Sequence, residues 1–274
     1  MIRLARGFGL WAAALAAAMF CAPLSAQTWA QGAASFIETK GASPAPAAGY
    51  RLPWPQSARL SGPTDRYSHD VLGGIPRWTD LGLRAQPCAT CDQAATGQTI
   101  RLPETLVFED TGPRLWDVTG DATPEIVVVE SDLRKGARLT VWSYDTSLTR
   151  IAVTPHIGRA NRWLAPLGVG DFNADGQPDI AYVDRPHLAR ELVIVTVKGK
   201  RLVELARMGG VTNHRIGESV ISGGVRNCGQ GAEAILANAD WSEVMAVRME
   251  GARLVARSLG PLARNSFSRA LACR

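Results

Sequence analysis

The strongest constraint on the fold of this chain is that it repeats itself. Residues 171–180 read Asp171-Phe172-Asn173-Ala174-Asp175-Gly176-Gln177-Pro178-Asp179-Ile180, and 54 positions upstream stands Asp117-Val118-Thr119-Gly120-Asp121-Ala122-Thr123-Pro124-Glu125-Ile126. Acids recur at the first, fifth and ninth positions and proline at the eighth. The same step forward reaches Val225-Arg226-Asn227-Cys228-Gly229-Gln230-Gly231-Ala232-Glu233, which keeps the asparagine at three and the acid at nine but has lost the acids at one and five. Asp70-Val71-Leu72-Gly73-Gly74 reads as a more degraded copy, 47 residues before Asp117. A unit near 50 residues long, too short to bury both its faces alone, implies stacked neighbours that share a core.

What fills each unit is β-structure. Short β-branched runs such as Ile126–Val129 and Leu192–Val197 alternate with Gly, Pro, Asn and Asp, which is the pattern of strands and turns. Two hairpins are explicit: Val193–Val197 turns through Lys198-Gly199-Lys200 into Leu202–Leu205, and Met245–Met249 turns through Glu250-Gly251-Ala252 into Leu254–Ala256. Each central glycine supplies the positive φ of a tight turn. Only Pro261–Ala272 offers a short helix. The expectation is an all-β fold, a β-propeller of about four to five blades, since the 248 residues after position 26 hold between four and five units of 54. An incomplete ring closed by a partner is the alternative. The segments DFNADGQPDIAYVD and DVTGDATPEIVVVE resemble the FG-GAP or VCBS repeats of integrin α-subunit-like propellers, and the resemblance covers about residues 61–258. The chain departs from that family in having no Phe-Gly or Gly-Ala-Pro words after its leader and too few residues for the seven blades of an integrin propeller.

The repeated loop has the chemistry of a hard-cation site. In Asp171–Asp179, side chains at alternate positions, Asp171, Asn173 and Asp175, with the carbonyl of Gln177 and the carboxylate of Asp179, form the oxygen-rich, flexible donor set that suits Ca²⁺. Gly176 permits the turn. The closing acid comes at position nine and no flanking helices are apparent, so this is not an EF-hand. The resemblance implies the same ligands. The earlier loop offers Asp117, Thr119, Asp121, Thr123 and Glu125, with a weaker threonine ligand and Ala122 in the place of the glycine. The copy at 225–233 has too few oxygens and is expected to be metal-free.

Residues 1–26 read as a secretory leader: Arg3 and Arg6 precede the apolar run Leu10–Phe20, followed by Pro23 and Leu24-Ser25-Ala26. Eleven apolar residues fall short of the roughly 20 that span a bilayer, so no membrane span is expected. Residues 27–60, rich in Ala, Ser, Gly and Pro, read as an exposed lead-in, and 61–274 as the propeller with a C-terminal closing segment. Removing the leader also removes Cys21 and leaves Cys88, Cys91, Cys228 and Cys273, an even number that favours disulfides in a periplasmic or secreted protein. Cys228 lies inside the degraded loop and Cys273 is second from the end, so the expected pairs are Cys228 with Cys273 and Cys88 with Cys91; a four-thiolate zinc site is the alternative.

Function is less legible. The chain has 30 basic and 25 acidic side chains, a formal +5 that drops to +3 without Arg3 and Arg6. So small an excess, scattered in short clusters, does not point to nucleic acid. There is no HExxH, P-loop or dinucleotide fingerprint, and Gly217-Glu218-Ser219-Val220-Ile221 fails the nucleophile elbow at its last position. His187 and His214, beside Arg190 and Arg215, could meet on one face of the ring as an anion-binding site, and ordinary loop polar residues explain them equally well. The reading that follows is an exported, calcium-stabilised propeller that acts as a binding or adhesion-type module for a protein or carbohydrate ligand. The alternatives are a hydrolase or lyase built around His187, Arg190, His214 and Glu218, and a structural component of a cell-envelope assembly.

Overall fold

A computed structural model describes residues 36–40, 53–87 and 96–274. The expected leader, Cys88 and Cys91 lie outside the described residues.

The described strands form four antiparallel meanders. The first sheet is β1 (Phe36–Lys40), β2 (Trp54–Thr64), β3 (Arg77–Gln86) and β4 (Thr96–Arg101), hydrogen-bonded in chain order. In the second, β5 (Leu106–Phe108) and β6 (Arg114–Trp116) share one edge of β7 (Glu125–Asp132), which is followed by β8 (Gly136–Tyr144) and β9 (Leu148–Val153). The third is β10 (Leu164–Gly170), β11 (Asp179–Asp184), β12 (Glu191–Lys198) and β13 (Arg201–Gly209). The fourth again splits its first strand, β14 (Val211–Thr212) and β15 (Gly224–Asn227) lying along β16 (Ala232–Asn238), before β17 (Glu243–Glu250) and β18 (Arg253–Pro261). The first three sheets touch edge to edge through single residue pairs, Trp78 with Phe108 and Arg201 with Val153. Strands β1 and the start of β2 correct the expected lead-in of 27–60. Pairing with β2 orders a Phe36-Ile37-Glu38-Thr39-Lys40 run too short and too polar to announce itself.

Alternation along the strands stacks the sheets. In β7, Ile126 and Val128 join Leu60, Leu81 and Trp78 of the first sheet, while Val127 and Val129 join Leu164, Ile180 and Val193 of the third. In β11, Ile180 and Tyr182 face back to that core, whereas Ala181 and Val183 meet Ala234, Leu236 and Val247 of the fourth sheet. A strand buried on both faces needs apolar residues at every position, which is why these strands read as continuous Ile/Val runs. Each fully buried Val, Leu or Ile contributes on the order of 1.5–3 kcal/mol. The third and fourth sheets approach closely at Gly168 and Gly170, where a Cβ would come within 2.6 Å of Val225 and 2.8 Å of Ala232 respectively.

The two outermost faces are finished differently. That of the first sheet is polar, with Glu38, Arg59, Arg84 and Thr99 exposed. The fourth is covered by α1 (Ser266–Leu271), whose Ala270 packs on Ile235, Val244 and Ala246 together with Leu262, Phe267 and Leu271. A Cys228–Cys273 disulfide, Cα–Cα 5.9 Å, fastens this segment, and Arg226 donates to the Ala270 carbonyl at 2.5 Å.

Candidate metal loops and the opposite face

The two acidic loops are the same object built twice. Each joins the first to the second strand of its sheet, β6 to β7 and β10 to β11, closed by the pairs Trp116 with Glu125 and Gly170 with Asp179, which are 54 residues apart. The acid at position one accepts from the amide at position six: Ala122 to Asp117 Oδ2 at 2.8 Å, Gly176 to Asp171 Oδ2 at 3.0 Å. The acid at five accepts from the amide at seven, Thr123 to Asp121 and Gln177 to Asp175, both at 2.8 Å. The closing acid accepts from the amide at two, Val118 to Glu125 at 3.0 Å and Phe172 to Asp179 at 3.1 Å. Backbone torsions repeat as well. Positions four and six are left-handed in both, as Gly120 (φ 76°) and Ala122 (φ 67°) in one and Ala174 (φ 58°) and Gly176 (φ 83°) in the other. The loops are neighbours, since a Cβ on Gly120 would lie 3.1 Å from Gln177 Oε1.

Electrostatics set the closing acids apart from the rest. Asp179 is fully buried, and burial raises its carboxyl above the usual range, against the pull of the Phe172 amide and the Thr196 hydroxyl. Its Oδ1 makes no close, well-aligned hydrogen bond. Glu125 is pushed up to about 7, chiefly by burial, with Asp121 and Asp117 adding to the rise. Asp175, exposed, is held below its ordinary value by the Gln177 amide and the Asn173 side chain. The outer carboxylates turn toward the loop's own amides, and among the described residues no three His, Cys, Asp or Glu side chains stand as a preformed metal cage.

The third copy satisfies its closing acid with side chains. Its hairpin closes two residues further along, pairing Arg226 with Glu233 and Asn227 with Ala232. Arg226, standing where Phe172 stands in the intact loop, bonds Glu233 at 2.6 Å, and Arg257 reaches the same carboxylate at 2.9 Å. Burial works against ionisation of Glu233, but the two guanidiniums hold its carboxyl below the usual range. The fourth candidate copy is not equivalent: Asp70 lies between β2 and β3, the second and third strands of their sheet, and Val71 and Leu72 are core residues.

At the opposite end of the sheets the structure brings His187 and His214 together, Nε2 to Nδ1, at 2.9 Å. His214 Nε2 lies 2.9 Å from the Glu218 carbonyl. A carbonyl only accepts, so His214 carries its proton on Nε2 and His187 donates from Nε2 to His214 Nδ1. Burial lowers both rings, His187 to about 4, where His214, His69 and Arg190 add to the effect. Trp163 lies edge-on to His214 at 4.8 Å and donates through Nε1 to the Glu109 carbonyl at 2.8 Å. The buried Glu109 carboxyl bonds His69 Nδ1 at 2.7 Å and accepts from Ser131 at 2.5 Å. Sequence spacing could not single out Glu109, Ser131 and Trp163, because they belong to no motif and meet only through long-range packing. The imidazole pair of the hydrolase alternative is thus engaged with itself and with backbone.

Compared with known families, residues 117–182 match the FG-GAP-like repeat, a span that begins on the first position of one acidic loop and runs past the last position of the next. No curated protein gives a significant match to the chain. With two hairpin loops of one geometry on consecutive sheets inside that span, this chain is an FG-GAP-repeat-containing protein.

Proposed function

We propose that the chain is an exported binding or adhesion-type module, a small β-propeller of four blades in which Ca²⁺ stiffens the loops of the second and third. The observation that carries this reading is the doubled loop: three matching hydrogen bonds and two matching left-handed positions on consecutive sheets. Each loop closes on a buried carboxylate, and Asp179 Oδ1 is removed from water with no close, well-aligned hydrogen bond. A buried carboxylate is costly unless it is paired, a cost that a bound cation would offset. Asp171, Asn173, Asp175 and Asp179 with the Gln177 carbonyl would hold one ion, and Asp117, Thr119, Asp121 and Glu125 with the Thr123 carbonyl the other, less tightly. The metal would supply rigidity rather than chemistry. Export is supported by the apolar leader and by the Cys228–Cys273 bridge. The ligand would be a protein or carbohydrate, as is usual for modules whose loops gather at the ends of stacked sheets.

The experiment is a melting curve with Ca²⁺ and with a chelator. A ligand that binds only the folded chain raises the melting temperature by mass action. Asp171→Ala and Asp175→Ala should abolish most of the rise. Indifference to both calcium and chelator would make the loops plain turns.

A further inference from the structure

The end of the sheets opposite the acidic loops presents three large aliphatic side chains to solvent on two adjacent loops. Leu188 is 61% exposed, Ile216 66% and Val220 60%. These loops are not loose. Residues 185–190 and 211–214 are fastened by Val211 N to Arg190 O at 3.1 Å, by the Thr212 hydroxyl to Pro186 O at 2.8 Å and by the His187–His214 bond. Ser222 N to Asn213 O closes the second loop at 2.8 Å, and Gly217 N to Val71 O ties it to the β2–β3 connection at 3.1 Å. Three exposed aliphatic side chains on two tethered loops at one end of the sheets mark a candidate contact surface.

Arginines stand on the loops of the same end of the sheets. Arg190 and Arg215 flank the tips, with Arg215 over the Trp241 ring at 4.3 Å. Arg185 N to Trp163 O, Ala137 N to Arg162 O and Gly158 N to Lys135 O connect these loops to the β9–β10 connection and the β7–β8 turn, which bear Arg159 and Arg134. Arg134, Arg159, Arg190 and Arg215 are exposed, and among the described residues none forms an ion pair. Among the acids of the same loops, Asp184 pairs with Arg185 and Arg207 and Asp70 stands 3.9 Å from Arg77. Asp132, held by the Arg134 and Lys135 amides, and Asp240, held by Ser242, keep their charge, as do Asp65 and Glu218.

We propose that this face docks on an anionic phospholipid surface, with Leu188, Ile216 and Val220 entering the headgroup layer and Arg134, Arg159, Arg190 and Arg215 set against the phosphates. Aliphatic tips backed by guanidiniums are the chemistry of a peripheral membrane contact. A tight protein interface would more often show an aromatic anchor at its centre, and Trp241 is already covered by Arg215. The proposal is independent of calcium, because the acidic loops lie at the other end of the sheets.

The test is sedimentation of the purified protein with vesicles of phosphatidylcholine alone or mixed in equal parts with phosphatidylglycerol. Binding is expected on the mixed vesicles, little on phosphatidylcholine, and release as salt is raised. Arg190→Ala and Arg215→Ala should each weaken binding about fivefold, the equivalent of about 1 kcal/mol per cation near an anionic surface. Leu188→Ser combined with Ile216→Ser, at exposed positions, should bind at least as much more weakly while melting like the parent. The idea fails if the parent ignores anionic vesicles, or if the serine variant binds them as the parent does. It also fails if polyglutamate binds through Leu188 and Ile216 while vesicles do not, which would assign the face to an acidic protein.

Discussion

Glycine stands at opposite positions in the two acidic loops, and alanine is forced into the left-handed region at the other: Ala174 in one and Ala122 in the other. That region costs an L-residue roughly 1–2 kcal/mol, while glycine adds about 0.4–1 kcal/mol of unfolded-chain entropy. Ala174→Gly and Ala122→Gly are therefore each expected to stabilise by about 0.5 kcal/mol, and Gly176→Ala, where an added Cβ meets open space, to destabilise by about the same amount, read from denaturant midpoints at constant m. The sequence showed the glycine missing at 122 but not that alanine would take its torsion, because torsions follow from the hairpin register. The histidine pair gives a pH prediction. His187 titrates near 4 in the fold against 6.5 ordinarily, so between these values the unfolded chain binds a proton that the folded one does not. Stability should then rise with pH across that window and be lost on acidification, by about 1–2 kcal/mol once 1.36 kcal/mol per unit is discounted for the ring's partial exposure. His187→Asn should flatten the slope between pH 4 and 6.5, seen in urea melts; an unchanged slope would show that the acid loss arises elsewhere.

Helix α1 is only six residues long, with Asn265 at φ 64° before it and no side-chain cap, and so depends on its tether. The Cys228–Cys273 link, spanning 45 residues, should contribute on the order of 4 kcal/mol by loss of unfolded-chain entropy. Cys273→Ser should lower the melting temperature correspondingly and increase binding of a hydrophobic dye as Ile235, Val244 and Ala246 lose their cover; unreduced peptide mapping checks the pairing in the parent. Strand-level legibility was uneven for a physical reason. Runs such as 126–129 and 192–197 announce themselves because both faces are buried, whereas β1, a short edge strand, is specified by its pairing with β2 and not by its own composition. The split first strands of the second and fourth sheets were hidden as well, since β5 and β14 each hold three residues or fewer.

For the molecule as a whole, the 54-residue period made the succession of sheets and the acidic corners legible, but not the finish of the outer faces. A polar surface on the first sheet and a disulfide-fastened helix on the fourth are single events outside the period. The loss of acids at Val225 and Gly229 goes with Arg226 and Arg257 supplying the positive charge at Glu233, and this ion pairing is visible only once the hairpin has closed two residues further along. On the reading proposed here, two of the three corresponding corners take calcium and the third does not. Titration calorimetry with Ca²⁺ tests it most directly. Two ions should bind per chain, the Asp171→Ala variant should lose the tighter one and Asp117→Ala the weaker, and Glu233→Gln should leave both in place. Absence of any calcium heat in the parent, or loss of binding on changing Glu233 alone, would contradict it.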